Sequence, residues 1–233
     1  MNLAQALFSQ GLGTRRECTG LILAGHVTLA GGVCDDPHHE VEPEGLVLGV
    51  RGESWPYHAK ALVLLNKPAG YECSQKPKHH PSVLSLLPGP LRTRGVQPVG
   101  RLDEDTTGLL LLTDDGALIH RLTSPKKHVP KVYEIETLDP VTDAQVDALI
   151  RGVVLHDSPL PVRAAACEQT GEHALRMTLW EGKYHQVKRM VAATGNTVGA
   201  LHRSAYGALT LPADLAPGQW RWLDGPGAVL GAG

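Results

Sequence analysis

Several common functional classes are excluded by what this chain lacks. No apolar run approaches the roughly 20 residues needed to span a bilayer, and the opening MNLAQALFSQG has neither a basic n-region nor a long hydrophobic stretch. Neither a membrane helix nor a signal peptide is expected. The four cysteines, Cys18, Cys34, Cys73 and Cys167, form no CxxC pair, so free thiols in a reducing cytoplasm are expected rather than a secreted disulfide scaffold. The twelve histidines, including His38-His39 and His79-His80, fall in no ligand spacing such as HExxH, and no metal is expected. There is no GxxxxGK[ST] loop and no GxGxxG after a strand, so neither ATP nor a dinucleotide is expected as cofactor. Internal repeats are absent too.

What is present describes a globular protein. Hydrophobic residues make up 42% of the chain and charged residues 20%, enough apolar material for a packed core. At 233 residues there is room for one large core or a small domain beside a medium one. The formal net charge of -2 argues against a nucleic-acid partner, but its distribution argues for one. Lys76, Lys78, Arg92, Arg94 and Arg101 occur in a stretch without acids, as do Arg121, Lys126, Lys127 and Lys131. The acids Asp35, Asp36, Glu40, Glu42, Glu44 and Glu53 cluster elsewhere. A near-neutral total can conceal a basic face. Two ordinary solvated loops account for the charges equally well.

Residues 2–50 read as a small unit. Leu3, Ala6 and Leu7 share a helical face after Asn2. Thr14-Arg-Arg-Glu17 is a capping box that opens a second helix, with Cys18, Leu21 and Ile22 inward and a stop at Gly25. Short strands follow at His26–Leu29 and Leu46–Leu48. Segment 51–60 (RGESWPYHAK) mixes Gly, Pro and charge and reads as a linker. From 61 the pattern changes. Ala61–Leu65 and Leu109–Leu112 are buried-strand candidates, Val132 and Ile135 belong to a half-buried strand, and Leu175–Trp180 and Thr197–Arg203 are further strands. Thr142-Asp-Ala-Gln145 is a capping box for a helix through Ile150, and Gln186–Ala193 is a helix with Gly195 just past its end. Strands outnumber helices and few long crossovers join them, so an α+β fold with a mixed, mainly antiparallel sheet is expected. The Gly-rich tail from Gly225 should fray.

The most informative stretch is Gly100-Arg-Leu-Asp-Glu-Asp-Thr-Thr-Gly108, running into Leu109–Leu112 and Thr113-Asp-Asp-Gly116. A charged loop held by a rigid apolar strand is a good mount for a reactive side chain. Asp103, Glu104 and Asp105 admit three readings: a divalent-metal site, a solvated turn, or one catalytic carboxylate. Arg101 opposes a metal, because a cation beside the site competes with it, and suits a single ionised Asp better. The residues alone leave these readings open.

The stretch GRLDEDTTGLLLLTDDG resembles the catalytic motif of the bacterial rRNA pseudouridine synthases. Leu65-Asn-Lys-Pro-Ala-Gly-Tyr71, Lys131-Val-Tyr133, Glu181-Gly-Lys-Tyr-His-Gln-Val-Lys-Arg-Met190 and Leu201-His-Arg203 are similar to the family's other motifs, in the family's order. The resemblance covers about 61–223. Residues 2–50 separately resemble an S4-type RNA-binding module. The KYHQVKRM variant and Ser124-Pro125 are most similar to the subfamily acting on small-subunit (16S) rRNA, with a large-subunit (23S) enzyme or an inactive ribosome-assembly factor as alternatives.

The resemblance implies an S4-like αα-β domain over 1–50, a linker over 51–60 and a synthase domain over 61–233. It implies Asp103 as catalytic carboxylate, Tyr133 stacking on a flipped uracil, Arg203 paired with the aspartate, Arg101 beside it, Leu201 walling the pocket and Lys131 on phosphate. The basic pairs Lys126/Lys127 and Arg15/Arg16 would bind RNA. Lys188 and Arg189 would orient the fold. The implied protein is a monomeric, cytoplasmic enzyme whose partner is rRNA, with no cofactor and no membrane contact. One departure is visible: the first helix carries no cation before Arg15, unlike the basic, phosphate-facing start usual in S4 modules.

Overall fold

The computed structural model describes residues 1–231. They divide into two compact units. One comprises Met1–Ala61 with Leu87–Gln97, and the other Leu62–Leu86 with the chain from Pro98 onward.

In the first unit, α1 (Leu3–Ser9) and α2 (Arg15–Leu23) both start on capping boxes, Asn2 with Gln5 and Thr14 with Glu17. Each box satisfies two backbone donors that a helix start leaves free. The helices pack Leu3, Ala6, Leu7, Cys18 and Ile22 against Val27, Val41 and Leu48. A four-stranded antiparallel sheet is built from β1 (Val27–Leu29), β2 (Gly32–Val33), β3 (Val47–Val50) and β4 (Glu53–Pro56), in the order β2-β1-β3-β4. β4 lies in the segment that reads as linker. Its residues are half-buried or exposed, so no apolar alternation marks it, and Pro56 is tolerated because the strand is an edge. The unit also takes up α3 (Gly89–Thr93), from a segment that the sequence assigns to the second domain. The Arg94 Nη1 donates to Gln10 Oε1 at 2.9 Å, and Gly11 lies against Pro90 O so closely that a Cβ would sit 2.2 Å from it.

The second unit is organised by one mixed sheet. Its strands are β5 (Leu62–Lys67), β6 (Gln97–Pro98), β7 (Thr107–Thr113), β8 (Lys131–Thr137), β9 (Ala166–Gly171), β10 (Ala174–Leu179), β11 (Val198–Tyr206), β12 (Leu209–Thr210) and β13 (Trp220–Trp222). The main path runs β13-β5-β7-β11-β8-β10-β9, with β12 beside β11. The β7–β11 pair is parallel, and the other registered pairs along the path are antiparallel. This is the expected mixed, mainly antiparallel α+β architecture. β5 is buried at all six positions, and β7 at all but Thr107, which explains why both read as unbroken apolar runs.

The helices α4 (Gly116–Thr123), α5 (Asp143–Arg151), α6 (Gln186–Ala193) and α7 (Gly227–Leu230) complete the unit. Asp115 caps α4 by accepting from the Ala117 and Leu118 amides, and Thr142 caps α5 in the expected box. In β8 the buried side chains are Lys131, Tyr133, Ile135 and Thr137, while Val132, one residue out of phase, is only half-buried. The tail from Gly225 does not fray as expected. Val229 is fully buried in the core with Leu62, Leu109 and Tyr206, and its carbonyl accepts from Ala208 N at 2.7 Å. Gly207 makes this possible, since a Cβ there would lie 2.1 Å from Val229 O. The last two tail residues lie outside the described residues.

Candidate active site

The GRLD loop hangs between the end of β6 and the start of β7, and it is fixed from below by a lysine. Lys67 closes β5 and is fully buried. Its Nζ donates to Pro68 O at 3.1 Å, Glu104 O at 2.9 Å and Thr106 O at 2.7 Å. Burial pulls its pKa down, partly countered by Cys73 and the loop carboxylates. The loop also holds itself, through Thr106 N to Asp103 O at 3.1 Å, and Gly70 N bonds Glu104 O at 3.0 Å. These bonds give the Leu-Asn-Lys-Pro-Ala-Gly stretch its purpose: it is the seat of the Asp103 loop.

Two further elements close on the loop. β11 runs parallel beside β7 with Arg203 opposite Gly108. Gly108 has φ +103°, and a Cβ there would sit 2.3 Å from Arg203 O, so only glycine lets the strands approach. From the other side, α6 and the residues before it deliver Lys188 and His185. Lys188 Nζ lies 3.2 Å from Asp103 Oδ2 and 2.7 and 2.9 Å from the Asp105 oxygens, and His185 Nε2 lies 3.2 Å from Asp103 Oδ1. Burial pulls the Lys188 ammonium down, but the carboxylates of Asp105 and Asp103 more than offset it and its pKa is raised. The same hydrogen bond holds Asp105 below the usual carboxylate range.

Asp103 lines a narrow cavity of about 60 Å³ together with Arg101, Tyr133, Leu179, Lys188 and Leu201. Tyr133 and Leu201 both line it and are buried. A second cavity of about 70 Å³ shares Tyr133 and Arg101 with it and is also lined by Lys131, Arg203 and Tyr206. Lys131 Nζ and the Arg203 guanidinium lie 5.1 and 5.0 Å from the centre of the Tyr206 ring, a cation–π distance. The Tyr206 hydroxyl donates to Leu122 O at 2.9 Å, and burial pushes its pKa up to about 12.

Two expected roles change. Arg203 is buried on β11 and makes no ion pair with Asp103. Its Nε donates to Leu109 O at 2.9 Å, and its Nη2 is buried without a partner. Lys188 stands at Asp103 instead. Arg101 lines the cavity beside Asp103, as the resemblance implies, but is exposed and forms no ion pair among the described residues. Lys131 is buried, donating to Val129 O at 2.9 Å and Trp180 O at 3.2 Å. Burial, and then the charge of Arg203, lower its pKa to about 8, so it is no surface phosphate contact. Arg189 holds the segment before α6, donating to Asp157 and to Tyr184 O at 2.9 Å. Lys126 and Lys127 are exposed on the turn Pro125–Lys127 and line neither cavity. Arg15 and Arg16 are exposed at the start of α2, with Arg15 4.3 Å over the Phe8 ring. Among the described residues no group of three His, Cys, Asp or Glu side chains converges as a metal site. All four cysteines are free thiols, and no described helix is long and apolar enough to cross a membrane.

A mixed sheet that carries an aspartate loop, a buried tyrosine and a basic helix, in a chain that begins with two capped helices on a small sheet, has recognisable relatives. Residues 61–193 match the RNA pseudouridylate synthase family and residues 1–47 match the S4 domain; the chain belongs to the pseudouridine synthase family and is an enzyme of that class. Ribosomal small subunit pseudouridine synthase A of Escherichia coli (strain K12) is 40% identical over 222 residues, covering 92% of this chain and 93% of the relative. The uncharacterized RNA pseudouridine synthase YtzG of Bacillus subtilis (strain 168) is 37% identical over 227 residues, covering 96% and 95%. A crystal structure of a pseudouridylate synthase shares 34% identity and covers 96% of each chain, with a TM-score of 0.67.

Proposed function

We propose that this protein isomerises a uridine of 16S rRNA to pseudouridine, with Asp103 as the catalytic carboxylate. The observation that carries the reading is the placement of Asp103 at a cavity walled by Tyr133 and Leu201, with its carboxylate held by Lys188 and His185. The small-subunit specificity of the Escherichia coli relative over nearly the whole chain supports 16S rRNA as the substrate.

The reaction breaks the bond from uracil N1 to C1′ and forms one from C5 to C1′. The C5 hydrogen leaves as a proton, and N1 gains one. No electrons are exchanged and no phosphoryl group moves, so no cofactor is required. One enzymatic group suffices, acting as nucleophile or as base, and an ionised carboxylate can serve as either. The Lys188 ammonium stabilises that negative charge at 3.2 Å. The Tyr133 ring offers a face on which the flipped uracil stacks, and Leu201 closes the apolar side. The S4 module and the exposed pairs Arg15/Arg16 and Lys126/Lys127 hold phosphates without reading sequence. In this reading the enzyme works as a cytoplasmic monomer on the RNA or the assembling subunit.

The test is a map of pseudouridine in rRNA from cells with the gene, without it, and with Asp103→Asn. One 16S position should lose pseudouridine in both altered strains. The Asn protein should keep its melting temperature and RNA affinity, because the amide keeps the shape and loses the chemistry. Normal modification by Asp103→Asn refutes the mechanism; loss at a 23S position refutes the substrate.

A further inference from the structure

A further, larger cavity adjoins the first and shares Asp103 with it. Its volume is about 370 Å³, and it is lined by Glu72, Cys73, Ser74, Gly100 to Glu104 and Gly182 to His185. Nothing in the proposed chemistry uses it. Its floor is rigid: the Glu72 carboxylate accepts from the Lys78, His79 and His80 amides at 2.9–3.0 Å, and these bonds hold its pKa down at about 2.

One wall carries an unusual aromatic. Tyr184 is 71% exposed, and its ring is stacked on the His185 ring at 3.8 Å between centroids and 19° between planes. His185 adopts φ +46°, ψ +34°, a left-handed conformation uncommon for a residue other than glycine. That conformation turns its imidazole between Tyr184 on one side and the Asp103 carboxylate at 3.2 Å on the other. The result is a short stack that starts at an open aromatic face and ends at the carboxylate.

We infer that this cavity is a second nucleotide subsite, which receives the base next to the target uridine and stacks it on Tyr184. The inference rests on the reading of Asp103 as the reacting group. Extruding a uridine removes a stacking partner from its neighbour. An exposed aromatic face that shares Asp103 with the uracil cavity stands where a replacement is needed. Arg101 and Lys183, at the rims of both cavities, supply positive charge for the connecting phosphate. Stacking tolerates any base, with purines offering the larger face. Because His185 touches both Tyr184 and Asp103, filling the subsite also steadies the carboxylate.

The test uses 16S rRNA stem-loop transcripts with 2-aminopurine on one or other side of a loop uridine, and matching transcripts with an abasic nucleotide at the same place. Wild-type protein and Tyr184→Phe should quench the 2-aminopurine on one side, and Tyr184→Ala should not. The Ala variant should bind the base-bearing RNA about 5- to 150-fold more weakly, the range expected for one lost stacking contact, and the abasic RNA within about twofold of wild type. An Ala variant that loses equally on both RNAs, or on neither, overturns the subsite, as does failure of the wild type to bind either. Melting temperatures check that this exposed substitution leaves the fold intact. Pseudouridine formation, measured separately, judges the catalytic reading. A protein that quenches and discriminates without isomerising refutes that reading while upholding the subsite.

Discussion

Replacing Lys67 with Met should damage stability and chemistry together, although Lys67 does not touch Asp103. The side chain is fully buried and donates three hydrogen bonds to carbonyls, two of them in the Asp103 loop. A hydrogen bond to a charged group contributes about 1.5–3 kcal/mol, and a buried carbonyl left without a donor costs about 1–3 kcal/mol. Three such bonds give a gross loss of several kcal/mol. Against this, Met no longer buries a charge, and its chain fills much of the same volume. The net expectation is about 3–5 kcal/mol, from three carbonyls left without a donor at about 1–3 kcal/mol each, less the relief of no longer burying a charge. For a unit of this size, about 2–4 °C per kcal/mol puts the loss at about 6–20 °C in Tm. A calorimetric or circular dichroism melt reads this directly. Single-turnover pseudouridine formation at saturating RNA reads the second effect, which should fall at least tenfold at a temperature where the variant is fully folded. A variant within about 1 kcal/mol of wild type and with an undiminished rate would refute the claim that Lys67 seats the loop.

Tyr133→Phe should bind RNA nearly as wild type does, while Tyr133→Ala should lose about 1–3 kcal/mol of base stacking in equilibrium binding; equal losses in both would assign the effect to the hydroxyl. Lys131 should make stability rise with pH. Below about pH 8 it is charged in both folded and unfolded chains, whereas between about 8 and 10.5 only the unfolded chain keeps the proton, so the unfolded state binds more protons and stability increases. The gain should approach about 3 kcal/mol, seen as a difference between wild type and Lys131→Met in denaturant titrations across that window, and a constant difference would contradict it. Reversing Lys126 and Lys127 to Glu should flatten the slope of log affinity against log salt by about one to two units and weaken different RNAs alike, as filter binding at several salt concentrations would detect.

The elements with strong local signals were legible in the sequence. Thr14 with Glu17 and Thr142 with Gln145 cap helices as their spacing requires, α6 spans Gln186–Ala193 as read, and the apolar runs at 62–65 and 109–112 are buried strands. β4 and β9 carry no such signal, because none of their residues is buried and they lack an apolar period. The tail gives no local sign of its anchoring, because Val229 packs on Leu62 and Tyr206, which lie earlier in the chain. At the site, Asp103, Tyr133 and Leu201 stand out through their motifs. The contacts of Asp103 do not, because Lys188 and His185 are more than 80 positions away and meet it only through the sheet. The resemblance puts Lys131 on phosphate and Arg203 against Asp103, yet both are buried in the sheet. Their burial comes from the strand phase that also buries Tyr133, and from a cross-strand register that sets Arg203 opposite Tyr133. His185 carries no sequence mark of its left-handed backbone.

The order of strands in the larger sheet has a consequence for biogenesis. β11, made late, inserts between β7 and β8, and β13, later still, pairs with β5. A ribosome that has completed Asp103, Tyr133 and the strands around them has therefore not assembled the cavity they line, because β11 with Leu201 is missing, Gly108 lacks its neighbour strand and the edge of β5 is bare. The first unit, in contrast, has all its segments by residue 97. At about 5–20 residues per second, a nascent chain spends several seconds able to form the S4 module while its chemistry remains unassembled. Pairings between such distant segments also close slowly, which lengthens that interval after release. The chain thus holds every segment of its first unit before it holds the strand that closes the Asp103 cavity.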